Sequence, residues 1–160
     1  MCLNAHMKEI EGDLLQLALA GHFDVIVHGC NCQCTMGAGI AKAIKQQFPQ
    51  AFAADQATAA GDRSKLGNYS SAQANTTPGP SFTIVNAYTQ WHWRGAGVKA
   101  DYEAIAQVMC AVARDFAGQR IGYPLIGAGL AGGDWTRIAA LIDEALAGLD
   151  HTLVRLPAPL

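Results

Sequence analysis

Apolar residues fall along this chain in two spacings, and each spacing predicts a different kind of element. Short apolar runs bounded by turn residues predict strands at residues 7–10, 25–27, 66–72, 82–88, 120–126 and 152–156. Apolar residues three and four positions apart predict helices at residues 14–18, 40–48, 50–61, 102–116 and 134–147. Because strands and helices alternate, the pattern predicts an α/β domain with helices layered on a mostly parallel sheet.

The stretch from Val25 to Ile44 joins a buried strand to a helix through a loop of small residues, residues 29–39, here called the first loop. Gly37 and Gly39 lie directly before the helix. The first turn of a helix carries free backbone N–H groups and a partial positive charge, and glycine lets the backbone approach an anion closely. The stretch therefore predicts a site for a small ligand that carries phosphate.

A second glycine-rich loop, Gly127–Gly133, also lies between a predicted strand and a predicted helix. Its GAGLAG spacing is that of a dinucleotide-binding Rossmann loop, but the residues after Asp150 supply no further strand–helix units for such a fold. A Walker loop is absent, since no Gly-Lys-Ser/Thr sequence occurs. In a parallel sheet both loops open at the carboxyl edge, where together they could clamp a diphosphate. Two tight turns without a ligand are the alternative.

Size and composition place further limits on the function. The chain has 160 residues, of which 51% are hydrophobic and 15% are charged, and it predicts one folded domain over residues 1–160. The net charge of −2 is not that of a broad nucleic-acid binder. No apolar run approaches the length of a membrane span, and the N-terminus lacks the pattern of a signal peptide. We expect a cytoplasmic monomer that does not contact a membrane.

The five cysteines predict neither a disulfide framework nor a metal site. Their number is odd, and three of them, Cys30, Cys32 and Cys34, are crowded within the first loop. Zinc ligands usually come as cysteine pairs two to four residues apart, and one-residue spacing fits tetrahedral coordination poorly. We therefore expect no metal, no cofactor, and unligated thiols along the loop. Cys34 would be reactive if it lay at the positive start of the following helix.

Three motifs, in this order, resemble those of one known family. They are Gly12-Asp13-Leu14, HGCNCQCTMGAGIAKAI from His28, and PLIGAGLAGGDW from Pro124 to Trp135. Together they resemble the macrodomain, the ADP-ribose-binding module, from about Lys8 to Leu156. Terminal ADP-ribose–protein glycohydrolases, ADP-ribose-1″-phosphate phosphatases and DNA-acting antitoxin macrodomains are similar. The resemblance implies a three-layer α/β/α fold with a mixed, mostly parallel central sheet. It also implies ADP-ribose, or an ADP-ribosylated protein or nucleic acid, as the partner.

The resemblance assigns ligand-binding roles to residues of this chain. It implies that Asp13 accepts a hydrogen bond from the adenine amino group beside the Leu14 backbone, and that Asn31 lies near the distal ribose. The residues implied to wrap the diphosphate are Met36, Gly37, Ala38, Gly39 and Ile40 on one side and Gly127, Ala128, Gly129, Leu130 and Ala131 on the other. The adenine and the second ribose come from the resemblance alone, whereas the two phosphate loops also follow from the residues.

Lys99 is the candidate catalytic residue that the resemblance implies. It precedes Ala-Asp-Tyr-Glu at a predicted helix start. A catalytic lysine stands before a similar Tyr-Glu in related glycohydrolases, where it attacks the anomeric carbon of the distal ribose. An unprotonated amine can perform that attack, whereas the ordinary alternative is a solvated lysine. The assisting loop aspartate of those enzymes falls at Ala131 here, which leaves Asp134 as a catalytic acid or as a helix N-cap.

Aromatic residues in and beside residues 89–97, a predicted loop after the strand at residues 82–88, are further candidates. Trp91, His92 and Trp93 are expected to cover the site, either by stacking on the ligand or by packing alone. Tyr88 ends its strand at the same edge and is expected to reach the ligand. We therefore predict hydrolysis of an ADP-ribose derivative. A non-enzymatic ADP-ribose reader is the alternative, and a nucleic-acid binder is a third function.

Overall fold

The computed structural model describes residues 6–157. Its strands are β1 (Lys8–Glu11), β2 (Val25–Asn31), β3 (Tyr69–Asn75), β4 (Ser81–Gln90), β5 (Ile121–Tyr123) and β6 (His151–Arg155). They form one sheet in the order β1-β6-β5-β2-β4-β3. All neighbouring strands are parallel except β3, which pairs antiparallel with β4 at one edge. The mixed, mostly parallel sheet is therefore confirmed.

The helices that flank the sheet are α1 (Leu14–Leu19), α2 (Gly39–Gln47), α3 (Pro49–Gln56), α4 (Tyr102–Asp115) and α5 (Trp135–Ala145). A single 3-10 turn, Arg63–Lys65, precedes β3. Asp13, Asp101 and Asp134 each accept a hydrogen bond from a backbone N–H of the helix that follows, as N-caps do. Within residues 6–157, no helix is both long enough and apolar enough to cross a bilayer.

Alternate side chains of β2 face two different helical layers, as the two-residue period of a strand requires. Val25 and Val27 pack in one apolar core with α4 and α5. Ile26 and Cys30 pack in a second core with α1, α2 and α3. The sheet therefore lies between two layers of helices, and the α/β/α architecture is confirmed.

Several element boundaries differ from those predicted. β5 ends at Tyr123 rather than at residue 126, because Pro124 has no N–H for the strand ladder. The alanine-rich helix α3 ends at Gln56 rather than at residue 61. β4 continues to Gln90, two residues past the predicted end, and β3 begins at Tyr69 rather than at residue 66.

The strand order brings the two glycine-rich loops together. β2 lies between β4 and β5 and is parallel to both. The first loop follows β2 and the second loop follows β5, so both open at the carboxyl edge of neighbouring strands. This edge is where ligands bind in open α/β sheets.

Candidate functional site

A cavity of about 820 Å³ opens at the carboxyl edge of the sheet, between the two loops. Its volume lies within the range of small-molecule sites. Ten of the predicted ligand-binding residues line it: Asn31, Met36, Gly37, Ala38, Gly39, Ile40, Gly127, Gly129, Leu130 and Ala131. The polar side chains of its wall that the sequence did not single out are Thr35, Thr89, Gln90 and Arg155.

The first loop leads into α2, and no side chain of the loop caps the backbone N–H groups at the start of that helix. Ala38 occupies the N-cap of α2 and has no side-chain oxygen to accept a hydrogen bond. Within residues 6–157, no acceptor binds the backbone N–H groups of Gly37, Ala38 or Gly39. These donors and the positive end of the helix together favour an anion in the cavity.

Backbone conformation shapes the same loop. Met36 is buried and has a φ of 42°, and Gly39 has a φ of 58°. Left-handed backbone is ordinary for glycine and uncommon for methionine, whose side chain here is anchored in the second apolar core. The buried Met36 side chain therefore anchors the turn after which Gly37, Ala38 and Gly39 line the cavity.

The second loop is held by its own backbone and by the segment before α4. Gly133 N donates to Gly127 O at 2.7 Å, and Gly132 N donates to Gly129 O at 3.1 Å. Ala131 O accepts from the backbone N–H of Lys99 at 2.7 Å. In the described part of the chain, the N–H groups of Gly129, Leu130 and Ala131 have no acceptor. The loop is thus fixed at its base and offers free donors at its tip.

Asn31 is held in place at the end of β2. Its Nδ2 donates to Thr35 Oγ1 at 3.0 Å, and its Oδ1 accepts from Gln33 N at 2.8 Å. Near it, a Cβ on Gly29 would lie 2.7 Å from Thr89 Oγ1, so a larger residue at position 29 would have to displace the Thr89 side chain. The floor of the cavity is therefore neutral and polar.

An aromatic stack borders the mouth of the cavity. Trp93 lines the cavity, is 45% exposed, and stacks on His92 with 4.1 Å between ring centroids. Arg94 lies over the Trp93 ring, and Arg63 lies 4.0 Å from the centroid of Trp91. Exposed aromatic faces beside cations suit a planar or anionic group next to the cavity.

The family model described as Macro domain matches residues 27–142 of the chain. This protein belongs to the macrodomain family. The match contains both loops and the whole of α4.

Known relatives resemble this macrodomain to different extents. An uncharacterised 17.5 kDa protein in the tk-vs intergenic region of Enterobacteria phage T4 is 32% identical over 154 residues, which cover 92% of this chain and 95% of the phage protein. An ADP-ribose 1″-phosphate phosphatase of Neosartorya fischeri is 45% identical over 51 residues, or 32% of this chain and 24% of that protein. The structure of Thermosipho africanus DarTG in complex with ADP-ribose superposes with a TM-score of 0.73 at 16% identity, over 95% of this chain and 43% of that one. At that identity the structural similarity shows the fold alone.

The two candidate catalytic side chains lie outside the cavity wall of the macrodomain. Lys99 is half-buried, and its Nζ donates to Gly97 O at 2.6 Å. Asp134 is exposed, and its Oδ1 accepts from Thr136 N at 3.0 Å as the N-cap of α5. Lys99 nevertheless adjoins the second loop through its backbone bond to Ala131. Among residues 6–157, no acidic side chain lines the cavity.

Asp13, Leu14 and Ala128 also lie outside the cavity wall. Asp13 is exposed and caps α1, while Leu14 is buried in the second apolar core. Gly12 N donates to Arg155 O at 2.8 Å, which brings Asp13 close to the Arg155 end of the cavity. Asp13 is therefore near enough to extend the site, whereas the Leu14 side chain belongs to the core.

The structure does not support the prediction that Tyr88 reaches the ligand. Tyr88 is 1% exposed and lies in the second apolar core, away from the cavity wall. Its hydroxyl donates to Asp55 Oδ1 at 2.7 Å, and burial raises its pKa well above the usual value. Side chains alternate along β4, so the next residue, Thr89, lines the cavity instead.

The crowded thiols differ in their surroundings. Cys30 lines the cavity and lies 3.6 Å from His28 Nε2, but burial lowers the pKa of His28 to about 4 and raises the pKa of the Cys30 thiol well above its usual value. Cys34 does not lie at the start of α2, so the positive end of that helix does not activate its thiol. Its Sγ instead donates to Asp55 O at 3.1 Å, at the end of α3. In residues 6–157, no group of three or more His, Cys, Asp or Glu residues could hold a metal ion.

Proposed function

We propose that this macrodomain binds ADP-ribose in the cavity between its two loops. The observation that carries the proposal is the pair of loop tips whose free N–H groups border one cavity. A diphosphate is a dianion with many acceptor oxygens, and backbone donors at a helix start suit it. Two similar proteins, an ADP-ribose 1″-phosphate phosphatase and a DarTG in complex with ADP-ribose, support the same ligand.

We assign the two halves of the ligand to the two ends of the cavity. The adenosine half lies toward Arg155 and Asp13, where the Asp13 carboxylate accepts a hydrogen bond from the adenine amino group. The distal ribose lies toward Asn31, whose side chain is already held by Thr35 and by the Gln33 backbone. The diphosphate between them spans the two loop tips.

We further propose that the macrodomain hydrolyses an ADP-ribose derivative, with Lys99 as the catalytic side chain. Lys99 Nζ would leave Gly97 O and, once unprotonated, attack the anomeric carbon of the distal ribose. A bond from Nζ to that carbon forms while the bond to the leaving oxygen breaks, and the leaving group takes up a proton. Water then releases ADP-ribose and regenerates the amine. The backbone bond between Lys99 and Ala131 supports this role, because it ties the lysine to the second loop.

One observation favours a second function, a reader that binds ADP-ribose without cleaving it. The polar side chains of the cavity wall are amides, hydroxyls, one arginine and the buried Cys30 thiol, and within residues 6–157 none of them is a carboxylate, a histidine or a lysine. Hydrolysis would then depend wholly on a lysine at the rim.

A calorimetric titration with ADP-ribose, compared with ADP, ATP and NAD, tests the binding proposal. We expect ADP-ribose to bind more tightly than NAD, and binding of none of the four would contradict the site. Asp13→Asn keeps an N-cap residue but removes the charge, so it should weaken ADP-ribose binding by about 1–3 kcal/mol without lowering stability. Unchanged affinity would remove Asp13 from the site.

Lys99→Ala separates the enzyme from the reader. An enzyme should keep its ADP-ribose affinity and lose turnover of ADP-ribosylated protein, ADP-ribosylated nucleic acid or ADP-ribose-1″-phosphate. The matched control is Lys42→Ala, which removes an exposed lysine that does not line the cavity. If Lys99→Ala kept the turnover of the parent, the catalytic role of this lysine would be wrong.

A further inference from the structure

Cys34 and Lys65 form a close thiol–amine pair behind the first loop. Lys65 is only 8% exposed, and its Nζ lies 3.4 Å from Cys34 Sγ. The same Nζ donates to Cys32 O at 2.9 Å and lies 4.7 Å from the centroid of the Tyr88 ring. Lysine is seldom this buried. Burial and the hydrogen bond to Cys32 O therefore hold the amine beside the sulfur.

A buried carboxylate belongs to the same cluster. Asp55 is 1% exposed, and its Oδ2 has no hydrogen-bond partner among the residues that the structure describes. Its Oδ1 accepts from the Tyr88 hydroxyl, and its backbone oxygen accepts from Cys34 Sγ. Burial raises the pKa of Asp55, so this carboxylate takes up a proton more readily than an exposed one. An unpartnered buried acceptor needs an explanation, and packing around it supplies none.

We propose that Cys34 and Lys65 are a peroxide-responsive modification site, in which oxidation of the thiol leads to a covalent bond between Sγ and Nζ. Cys34 is half-buried, whereas Cys30 and Cys32 are buried, so Cys34 is the most accessible thiol of the first loop. The site is separate from the cavity wall, which includes neither Cys34 nor Lys65.

The chemistry needs one equivalent of hydrogen peroxide. The Cys34 sulfur attacks one peroxide oxygen, the O–O bond breaks, and sulfenic acid and water are the products. Lys65 Nζ then attacks the sulfenic sulfur, an S–N bond forms, and the hydroxyl leaves as water. The ammonium group gives up two protons in this step, one to the departing hydroxide and one to Asp55. Condensation of a sulfenic acid with a nitrogen to give a sulfenamide is established cysteine chemistry.

The bond would act on the cavity through the first loop. Cys34 has a φ of 59° and is followed directly by Thr35 and Met36, which line the cavity. To form the bond, Sγ and Nζ must close from 3.4 Å to bonding distance while Nζ is also held by Cys32 O, and we expect this approach to shift the first loop at Cys34. Thr35 Oγ1 also accepts from Asn31 Nδ2, so the displacement reaches the predicted ribose contact. This consequence rests on the proposed ADP-ribose function, whereas the bond itself does not.

Intact and tryptic mass spectrometry of the peroxide-treated full chain tests the proposal. A background with Cys2→Ser and Cys110→Ser removes the two thiols outside the first loop and prevents intermolecular disulfides. We expect a loss of about 2 Da with a peptide that joins Cys34 to Lys65, reversed by a thiol reductant. A gain of about 14 Da on the same joined peptide would show an oxygen inserted by a second peroxide and would support the same site.

Matched variants make the result decisive. Lys65→Arg keeps the positive charge but replaces the amine, so the joined peptide should disappear while Cys34 still forms sulfenic acid. A disulfide between Cys32 and Cys34, which lie in one tryptic peptide and would appear as a loss of about 2 Da within it, would overturn the proposal. So would the absence of a joined peptide at peroxide levels that oxidise Cys34.

A titration with ADP-ribose before and after treatment then tests the coupling. We expect an affinity loss of at least fivefold that the reductant reverses and that Lys65→Arg does not show. Unchanged affinity of the cross-linked chain would overturn the coupling. Failure of the untreated chain to bind ADP-ribose would contradict the proposed function and leave the mass result standing.

Discussion

The two loops that wall the cavity lead into their helices in different ways. The first loop enters α2 through Ala38, whose side chain caps nothing, and its amides are left free. The second loop enters α5 through Asp134, whose carboxylate accepts from Thr136 N. One helix start is therefore open to an external anion, while the other is already satisfied by the chain.

The glycines of the two loops also differ in how closely the protein packs around them. A Cβ on Gly37 would meet no atom within 4 Å, whereas a Cβ on Gly133 would lie 2.5 Å from Gly127 O and 2.8 Å from Ile138 Cδ1. Glycine is thus required in the second loop by the protein itself. At Gly37 of the first loop, by contrast, the space beside the glycine is empty and borders the cavity. The tip of the first loop is therefore open, whereas the base of the second loop is closely packed.

Gly133→Ala should produce the largest loss of stability, because it introduces a steric clash at the closely packed base of the second loop. The added methyl group would collide with the Gly127 backbone oxygen, which can move only if the loop distorts. We expect a loss of about 1–3 kcal/mol in the free energy of unfolding, the usual cost of overpacking. Urea denaturation followed by circular dichroism measures it.

Gly129→Ala is the matched control for that substitution. A Cβ on Gly129 would meet no atom within 4 Å, and its φ is not positive. Its stability should equal that of the parent. Equal destabilisation by the two substitutions would show that the tip and the base of the second loop do not differ as described.

Ala38→Asp should abolish the difference between the two helix starts. The new carboxylate would cap α2 as Asp134 caps α5, and it would occupy the free donors with a negative charge. We expect ADP-ribose affinity to fall by tenfold or more, at least about 1.4 kcal/mol, while the melting temperature stays the same or rises. Calorimetry and a thermal melt test this.

Ala38→Asn separates charge from occupancy of the donors. Asparagine also caps helices well but carries no charge. We expect it to weaken ADP-ribose binding less than aspartate does. If neither variant changed the affinity, the start of α2 would not be the diphosphate site.

Asp134→Ala should affect stability and leave binding alone. Loss of the N-cap of α5 should cost about 0.5–2 kcal/mol in the free energy of unfolding. ADP-ribose affinity should stay within twofold of the parent, because Asp134 lies outside the cavity wall. Asp134→Asn keeps the cap, so loss of turnover in that variant at unchanged stability would instead support a catalytic acid.

Short-range sequence patterns were enough to predict the helix starts and the two glycine-rich loops. The aspartates at positions 13, 101 and 134 each stand directly before an apolar helical pattern, which is where an N-cap belongs, and each caps its helix in the structure. The two loops were recognisable because glycine-rich turns follow buried strands. That they meet is a consequence of parallel pairing, and the structure confirms it through the pairing of β2 with β5.

The same patterns could not predict which side chains at the end of β4 face the cavity. The apolar run stops at Tyr88, but the strand continues through Thr89 and Gln90, which are polar because they line the cavity. The sequence therefore drew attention to Tyr88, which faces the opposite layer. The contacts of Cys34 with Asp55 and Lys65 were equally hidden, because they join residues 21 and 31 positions apart and follow no helical or strand period.

Gly37→Ala should have the smallest effect, and it sharpens the comparison between the loop tips. Neither Gly37 nor Gly129 has a positive φ, and a methyl group on either would meet empty space in the protein. Both substitutions should therefore leave stability unchanged or raise it slightly. Because the first loop carries the open helix start, we expect Gly37→Ala to lower ADP-ribose affinity severalfold and Gly129→Ala to lower it less. Calorimetric titration of the two variants decides this, and an equal or reversed order would make the tip of the second loop the principal diphosphate contact.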